Sequence, residues 1–403
     1  MFRKIRLAAA LAVIIPGLTG NVLAAGDSPA PVPAEYKVLY SQLDGWLDVF
    51  DARLAKSTAG EGTSPVWGVH LSAADSNRGD FLAGPTAAVQ ADLMLDMMTR
   101  LGVKGITIVI GNPLLTDGFP YSDQYRKFYQ SIVAKVRERG LGLTIEQTLL
   151  MSNSELSPWK HATQALEFDA LVDTHRQMAQ WIIDYLQPDN LTLVNEPQSF
   201  AAISGRAEFL VEEGLVAFIE QVTTGLQRKT TRIGAGVSNW EAPRVASALV
   251  ATPIDYLSLS FFDAAPASVD RAFQIADIAS KANKPLIIGE AWLYKSSGVD
   301  QAQPDSIEGL AEGFRRNAFA FWAPLDQRFL DALMAFARQT GAQYVSPFWG
   351  NYMLAYLDYG ADNSQLPFDR LVLDAAARKA SSAVMSGWLS PTGKHYQKAL
   401  AKP

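Results

Sequence analysis

The chain has 403 residues, of which 48% are hydrophobic, 10% aromatic and 19% charged, so an intrinsically disordered chain is excluded. A net charge of −6 excludes a general nucleic-acid binder, which needs a basic surface. The absence of Cys excludes disulfides, thiolate metal sites and a Cys nucleophile, and four His leave little material for a His-rich metal centre.

Taken in chain order, residues 1–25 have the three parts of a secretory signal peptide: the basic start Arg3, Lys4 and Arg6, the apolar stretch Leu7 to Ile15, and small residues for cleavage after Ala24 or Ala25. The apolar stretch falls short of the ~20 residues of a spanning helix, and Pro16 interrupts it. The expectation is an exported protein, periplasmic or extracellular, with no membrane span once the signal is removed. Residues 26–64 divide into a Pro-rich arm (Gly26 to Ala34), an amphipathic helix over Glu35 to Lys56, and a loop from Ser57. The helix carries Val38, Leu39, Leu43, Trp46, Leu47, Phe50 and Leu54 at helical spacing and is expected to pack outside the first core strand.

Residues 65–403 are read as one barrel with a C-terminal tail. Short β-branched or apolar runs begin near Val66, Lys104, Leu141, Asn190, Thr231, Ile254, Pro285 and Ala342. Helical patterns fall between them at Thr86–Leu101, Ser122–Arg139, Ala165–Leu186, Ala207–Gln227, Pro243–Val250, Val269–Ala282 and Ser306–Gln339. A closing helix is expected over Asp369–Met385 and a tail over Ser390 to Pro403. Alternation of this kind implies parallel strands with crossover helices, which a doubly wound sheet also satisfies. Eight units favour a single (β/α)8 TIM barrel of the α/β class, with an N-terminal helical extension and a long helical connection from Tyr294 to Gly341 before the last strand.

Active sites of such barrels lie at the C-terminal ends of the strands. Two carboxylates stand there directly after apolar runs: Glu196 on the fourth strand and Glu290 on the seventh, nearly opposite in an eight-stranded ring. Paired carboxylates about 5–5.5 Å apart serve retaining glycosidases, one protonating the leaving oxygen and one attacking the anomeric carbon; about 6.5–9.5 Å serves inversion. His70 and Asp75 at the end of strand one could bond sugar hydroxyls, and Glu146 on strand three could raise the proton affinity of Glu196 or hold a sugar. Trp240 and Trp292 could be sugar platforms, since aromatic faces stack on the apolar faces of sugar rings, or could be core packing.

With LTLVNEP, PLIIGEAW and YVSPFWG in these positions, the chain resembles clan A of the glycoside hydrolases over roughly Val66 to Met385. The resemblance implies Glu196 as acid/base, Glu290 as nucleophile, Asn195 as a ligand of the sugar 2-hydroxyl and Trp349 as the floor of the reactive subsite. It departs from the clan pattern twice. Ile110-Gly111-Asn112 lacks the Arg that supports the nucleophile in many members, and Ser260-Phe261-Phe262 lacks the Tyr or His that bonds it. The expected function is an exported retaining hydrolase of a β-linked oligo- or polysaccharide, with a carbohydrate substrate as partner and no cofactor or metal. A β-glucan transglycosylase, a catalytically inactive glycan-binding barrel and an envelope assembly factor stay open as alternatives.

Overall fold

Eight short parallel strands close into a barrel in sequence order. The computed structural model describes residues 30–56, 64–150, 166–296, 313–367 and 369–402. The strands are β1 (Val66–His70), β2 (Gly105–Asn112), β3 (Gly142–Leu149), β4 (Asn190–Thr192), β5 (Arg232–Ser238), β6 (Tyr256–Phe261), β7 (Leu286–Ala291) and β8 (Tyr344–Pro347). Each starts at or within two residues of its expected position. Almost every strand residue is buried, which fits runs covered on both faces by the barrel interior and the helix ring.

The helices are α1 (Lys37–Ala55), α2 (Ala87–Leu101), α3 (Ser122–Glu138), α4 (Phe168–Trp181), α5 (Pro197–Ser204), α6 (Glu212–Thr223), α7 (Pro243–Val250), α8 (Pro266–Lys281), α9 (Ala323–Thr340), α10 (Ala377–Ser386) and α11 (Pro391–Leu400). Pro opens α5, α7, α8 and α11, where its missing N–H costs no hydrogen bond. Two tyrosines fill the interior near the start of the strands. Tyr344 Oη lies 3.0 Å from Thr107 Oγ1, and Tyr256 Oη lies 2.9 Å from Thr192 Oγ1. The facing positions Gly68, Gly105 and Gly234 have no side chain, and a Cβ there would collide with these rings.

Three local expectations need correction. First, α1 packs against α8 and α9 rather than outside β1. Its apolar stripe brings Phe50 onto Phe261 of β6 (5.4 Å between centroids) and Phe336 of α9 (6.3 Å). Its acidic face, Asp44, Asp48 and Asp51, meets Arg328 of α9. Second, the stretch from Ser390 is the helix α11: Ser390 Oγ accepts from Gly393 N at 2.9 Å as an N-cap, and Tyr396 Oη donates to Gly68 O at 2.9 Å. Third, the pattern over Ala207–Gln227 splits into a 3-10 turn, Ala207–Leu210, and α6, because Val211 between them is extended (φ −120°, ψ 143°). The expected signal peptide, and the first part of the Ser306–Gln339 pattern through residue 312, lie outside the described residues. Among the described residues no helix is long and apolar enough to cross a membrane.

Candidate active site

The end of β4 is bent into place by close packing. Gly236 on β5 lies so near the Asn195 carbonyl that a Cβ there would sit 2.1 Å from its oxygen. Gly236 N also donates to Val194 O at 2.6 Å. Behind the strand, the His175 ring of α4 donates from Nε2 to Leu193 O at 2.6 Å. Burial keeps that imidazole neutral, its pKa pushed down to about 4. The chain then turns at Glu196, which has extended backbone (φ −143°, ψ 109°) and precedes Pro197 at the start of α5. Both Asn195 and Glu196 are buried.

On the opposite side, β7 carries a bulge. Ser258 and Ser260 of β6 pair with Ile287 and Glu290, and Val345 and Pro347 of β8 pair with Ile288 and Ala291, so β7 holds one residue more than either neighbour. Bulges beside active sites re-aim a side chain, and the residue re-aimed here is Glu290. Asn195 Nδ2 donates to Glu290 Oε1 at 3.4 Å. Strands four and seven therefore meet across the barrel mouth.

A third carboxyl joins them. Glu146, fully buried on β3, reaches across the interior and is in hydrogen-bonding contact with the Glu290 carboxyl. Its Oε1 also accepts from Ser258 Oγ at 3.4 Å. Burial raises the proton affinity of all three acids. Glu196 is pushed up to about 8 by burial, opposed by a 2.7 Å hydrogen bond from Ser199 Oγ and reinforced by the charges of Glu241 and Glu146. Glu290 is raised well above the carboxylate range by burial, then by Glu146, Glu196 and Asp75. Glu146 is raised by burial.

Glu241, just beyond β5, is a fourth buried acid, pushed up to about 7 by burial against hydrogen bonds from Ser238 N (2.7 Å) and Gln198 N (3.2 Å). Tyr294, past the end of β7, lies in the field of both Glu196 and Glu290, and burial with those charges holds its phenol protonated. Its ring stacks on Phe262 at 4.5 Å.

The remaining expected residues divide into rim and core. His70 donates from Nδ1 to Phe348 O at 2.7 Å, stacks on the Phe348 ring, and places Nε2 3.5 Å from Asp75 Oδ2. Burial lowers the His70 pKa and raises that of Asp75, which favours the neutral form of both. Trp240 stacks on Phe262 at 5.7 Å, and Trp349 stands edge-on to Phe348 and Phe314; both keep part of their surface open. Trp292 is fully buried beside Tyr352 and Lys295. A platform needs an open face, so Trp292 is core packing. Asn195 Oδ1, Trp240 Nε1 and Trp349 Nε1 are buried with no hydrogen-bond partner among the described residues. Among the described residues no group of three or more His, Asp or Glu side chains is arranged to hold a metal ion.

Sequence reading passed over Glu241 and Tyr294. Each stands three residues past a strand end, at the height of the site, and that height is the available signal.

No protein-family model matches the chain, and no curated protein matches it. Solved structures do. An exo-β-1,4-mannosidase from Opitutaceae bacterium strain TAV5 superimposes with a TM-score of 0.52 and 14% identity, covering 86% of this chain and 61% of that one. The chain shares its (β/α)8 barrel fold. It spans less than two thirds of the mannosidase's length. A rice β-glucosidase gives a TM-score of 0.45 at 10% identity, covering 78% of this chain and 97% of that one. A β-glucosidase from Thermotoga maritima in complex with deoxynojirimycin gives 0.44 at 12%, covering 72% and 89%.

Proposed function

We propose that the protein is a retaining glycoside hydrolase acting on a β-linked glycan. The observation that carries this reading is the hydrogen bond from Asn195 to Glu290, which sets the Asn-Glu pair just beyond β4 against the carboxyl of the β7 bulge in one buried mouth. In the first step a Glu290 oxygen bonds to the anomeric carbon, the glycosidic carbon–oxygen bond breaks, and Glu196 gives its proton to the departing oxygen. In the second step Glu196 takes a proton from water, which attacks the same carbon and releases Glu290. Glu196 suits the acid role because burial keeps it protonated to about pH 8. The unpartnered polar atoms of Asn195, Trp240 and Trp349 suit a polyhydroxylated ligand. Trp349 supplies an apolar face for the reactive sugar and Trp240 a second, while His70 braces Asp75 and Phe348. The leader pattern of residues 1–25 supports export.

The test is release of reducing sugar from β-mannans, β-glucans, galactans and xylans by the wild type, Glu290→Ala and Glu196→Gln. Turnover on one glycan, lost by at least about 1,000-fold in Glu290→Ala, is expected. Full activity in Glu290→Ala removes the assignment, and saturable binding without turnover points to a lectin-like barrel.

A further inference from the structure

Past Glu196 the chain makes α5 and then the 3-10 turn Ala207–Leu210 before it enters α6. Phe209 anchors that turn in a buried aromatic cluster, 5.5 Å from Phe200 and 5.1 Å from Phe218. Gly214 lets the turn lie directly on α6, because a Cβ there would sit 2.3 Å from Glu208 O. The turn is held in this way, yet its next two side chains, Leu210 and Val211, are 55% and 49% exposed. They form one wall of a pocket. Pro197 and Gln198, the two residues after Glu196, form a second wall, and Trp240 with Val245 closes the pocket from the β5 side. Adjacent apolar side chains held open at a concave site mark a place where a ligand binds. The pocket adjoins the acid and not the nucleophile: among the described residues none that lines it belongs to β7. Trp240 joins it to the mouth, since this ring stacks on Phe262 and Phe262 stacks on Tyr294, which lies in the field of Glu196 and Glu290.

The walls suit a neutral apolar ligand. Their charged groups are already engaged: Arg244 Nε pairs with Glu212 Oε1 at 2.6 Å, and Glu241 accepts from Ser238 N at 2.7 Å and Gln198 N at 3.2 Å. A second sugar would turn several hydroxyls toward Phe209, Leu210, Val211, Leu215 and Val245, whose side chains can bond none of them. Hydroxyls buried without partners weaken binding. The two carboxyls of a retaining displacement flank the scissile bond, and the acid gives its proton to the glycosidic oxygen, so the leaving group departs on the acid's side. We propose that this pocket is the leaving-group subsite and that it takes an apolar aglycone rather than a further sugar. The inference rests on the reading of Glu196 as acid/base and narrows the glycan of that reading to one joined through the scissile bond to an apolar alcohol. The bond from the anomeric carbon to the glycosidic oxygen breaks, and the aglycone leaves as the alcohol, its oxygen carrying the Glu196 proton. Its apolar body lies against Leu210, Val211 and Trp240.

The test compares kcat/KM for the methyl and n-hexyl β-glycosides of glucose, mannose, galactose and xylose with kcat/KM for the matching β-1,4-linked disaccharides. The two alcohols are similar in acidity, so the difference between them reports on contact with the pocket and not on bond cleavage. For the sugar that is turned over, the hexyl glycoside should exceed the methyl glycoside by at least about 30-fold, since each buried methylene contributes about fourfold. It should also exceed the disaccharide. The double variant Leu210→Ser, Val211→Ser removes one wall. Both side chains are exposed, and Ser suits the N-cap place that Val211 holds on α6. This variant should cut the hexyl-to-methyl ratio about 10-fold. If melting curves show that it does not fold, Leu210→Asp at the more exposed position gives the same reading. A wild-type ratio near one, better cleavage of the disaccharide, or an unchanged ratio in the folded variant overturns the proposal and leaves Glu196 its role. Failure of the parent reading looks different: cleavage persists undiminished in Glu196→Gln, or the wild type cleaves none of these compounds, and both claims fall.

Discussion

Glu196 and Glu290 are legible in the sequence because each follows a short apolar run in an eightfold alternating pattern. Their partners are not legible in the same way. Glu146 is legible as a carboxyl on strand three, but Glu241 and Tyr294 come from other parts of the chain, and their importance lies in shared burial, which no local pattern records. The pH dependence follows from that burial. In its proposed role as general acid Glu196 must be protonated, so turnover should fall as pH rises past about 8. Glu241, ionised above about 7, adds negative charge beside Glu196 and strengthens its hold on the proton. Replacing it by Gln removes that charge, so the alkaline limb of kcat/KM should move to lower pH. A limb that stays or moves up would show that Glu241 does not act on the acid.

At the scale of elements, strand order and number follow from alternating patterns, but two helices were missed for opposite reasons. The short α5 begins directly after Glu196, too short a segment to show a helical pattern of its own. Helix α11 carried its start signal in plain view, Ser390 followed by Pro391, yet its polar composition reads as a tail until Thr392 and Tyr396 are seen buried against the barrel. What ties this end together is also non-local. Lys295 after β7 is fully buried and hydrogen-bonded to Asp326 in the first turn of α9. Tyr356 Oη donates to Asp326 Oδ2 at 2.9 Å and lies 2.9 Å from Thr392 Oγ1 of α11. Asp326→Ala leaves a buried ammonium unpaired and should cost about 3–5 kcal/mol in urea unfolding. The double variant Lys295→Met, Asp326→Leu should recover most of it. A loss under about 1 kcal/mol in the single variant would show that Lys295 finds another partner or water.

The whole molecule holds several neutral acids inside one barrel mouth, and their cost belongs to the fold. Above the ordinary carboxylate value of 4.5 the unfolded chain releases these protons while the native state keeps them. The native state then binds more protons, so stability falls as pH rises from about 4.5 toward about 8. For Glu241 alone, 4.5 against about 7 corresponds to on the order of 3 kcal/mol. Calorimetry should find the highest melting temperature near pH 5 and a decline toward pH 8, flattened in Glu241→Gln. A melting temperature that climbs over this range would contradict protonated acids in the native state.

The absence of Cys sharpens the same point, since packing alone, from the two interior tyrosines to the Lys295–Asp326 pair, must hold this mouth closed around its acids. The claim that joins these scales is that Glu290 attacks a sugar. The most direct measurement is peptide mapping after incubation with a 2-deoxy-2-fluoro glycoside of the sugar that is turned over. A single adduct on Glu290, absent in Glu290→Gln, is the expected result. Turnover of the parent sugar with no adduct, or an adduct on another residue, would contradict it.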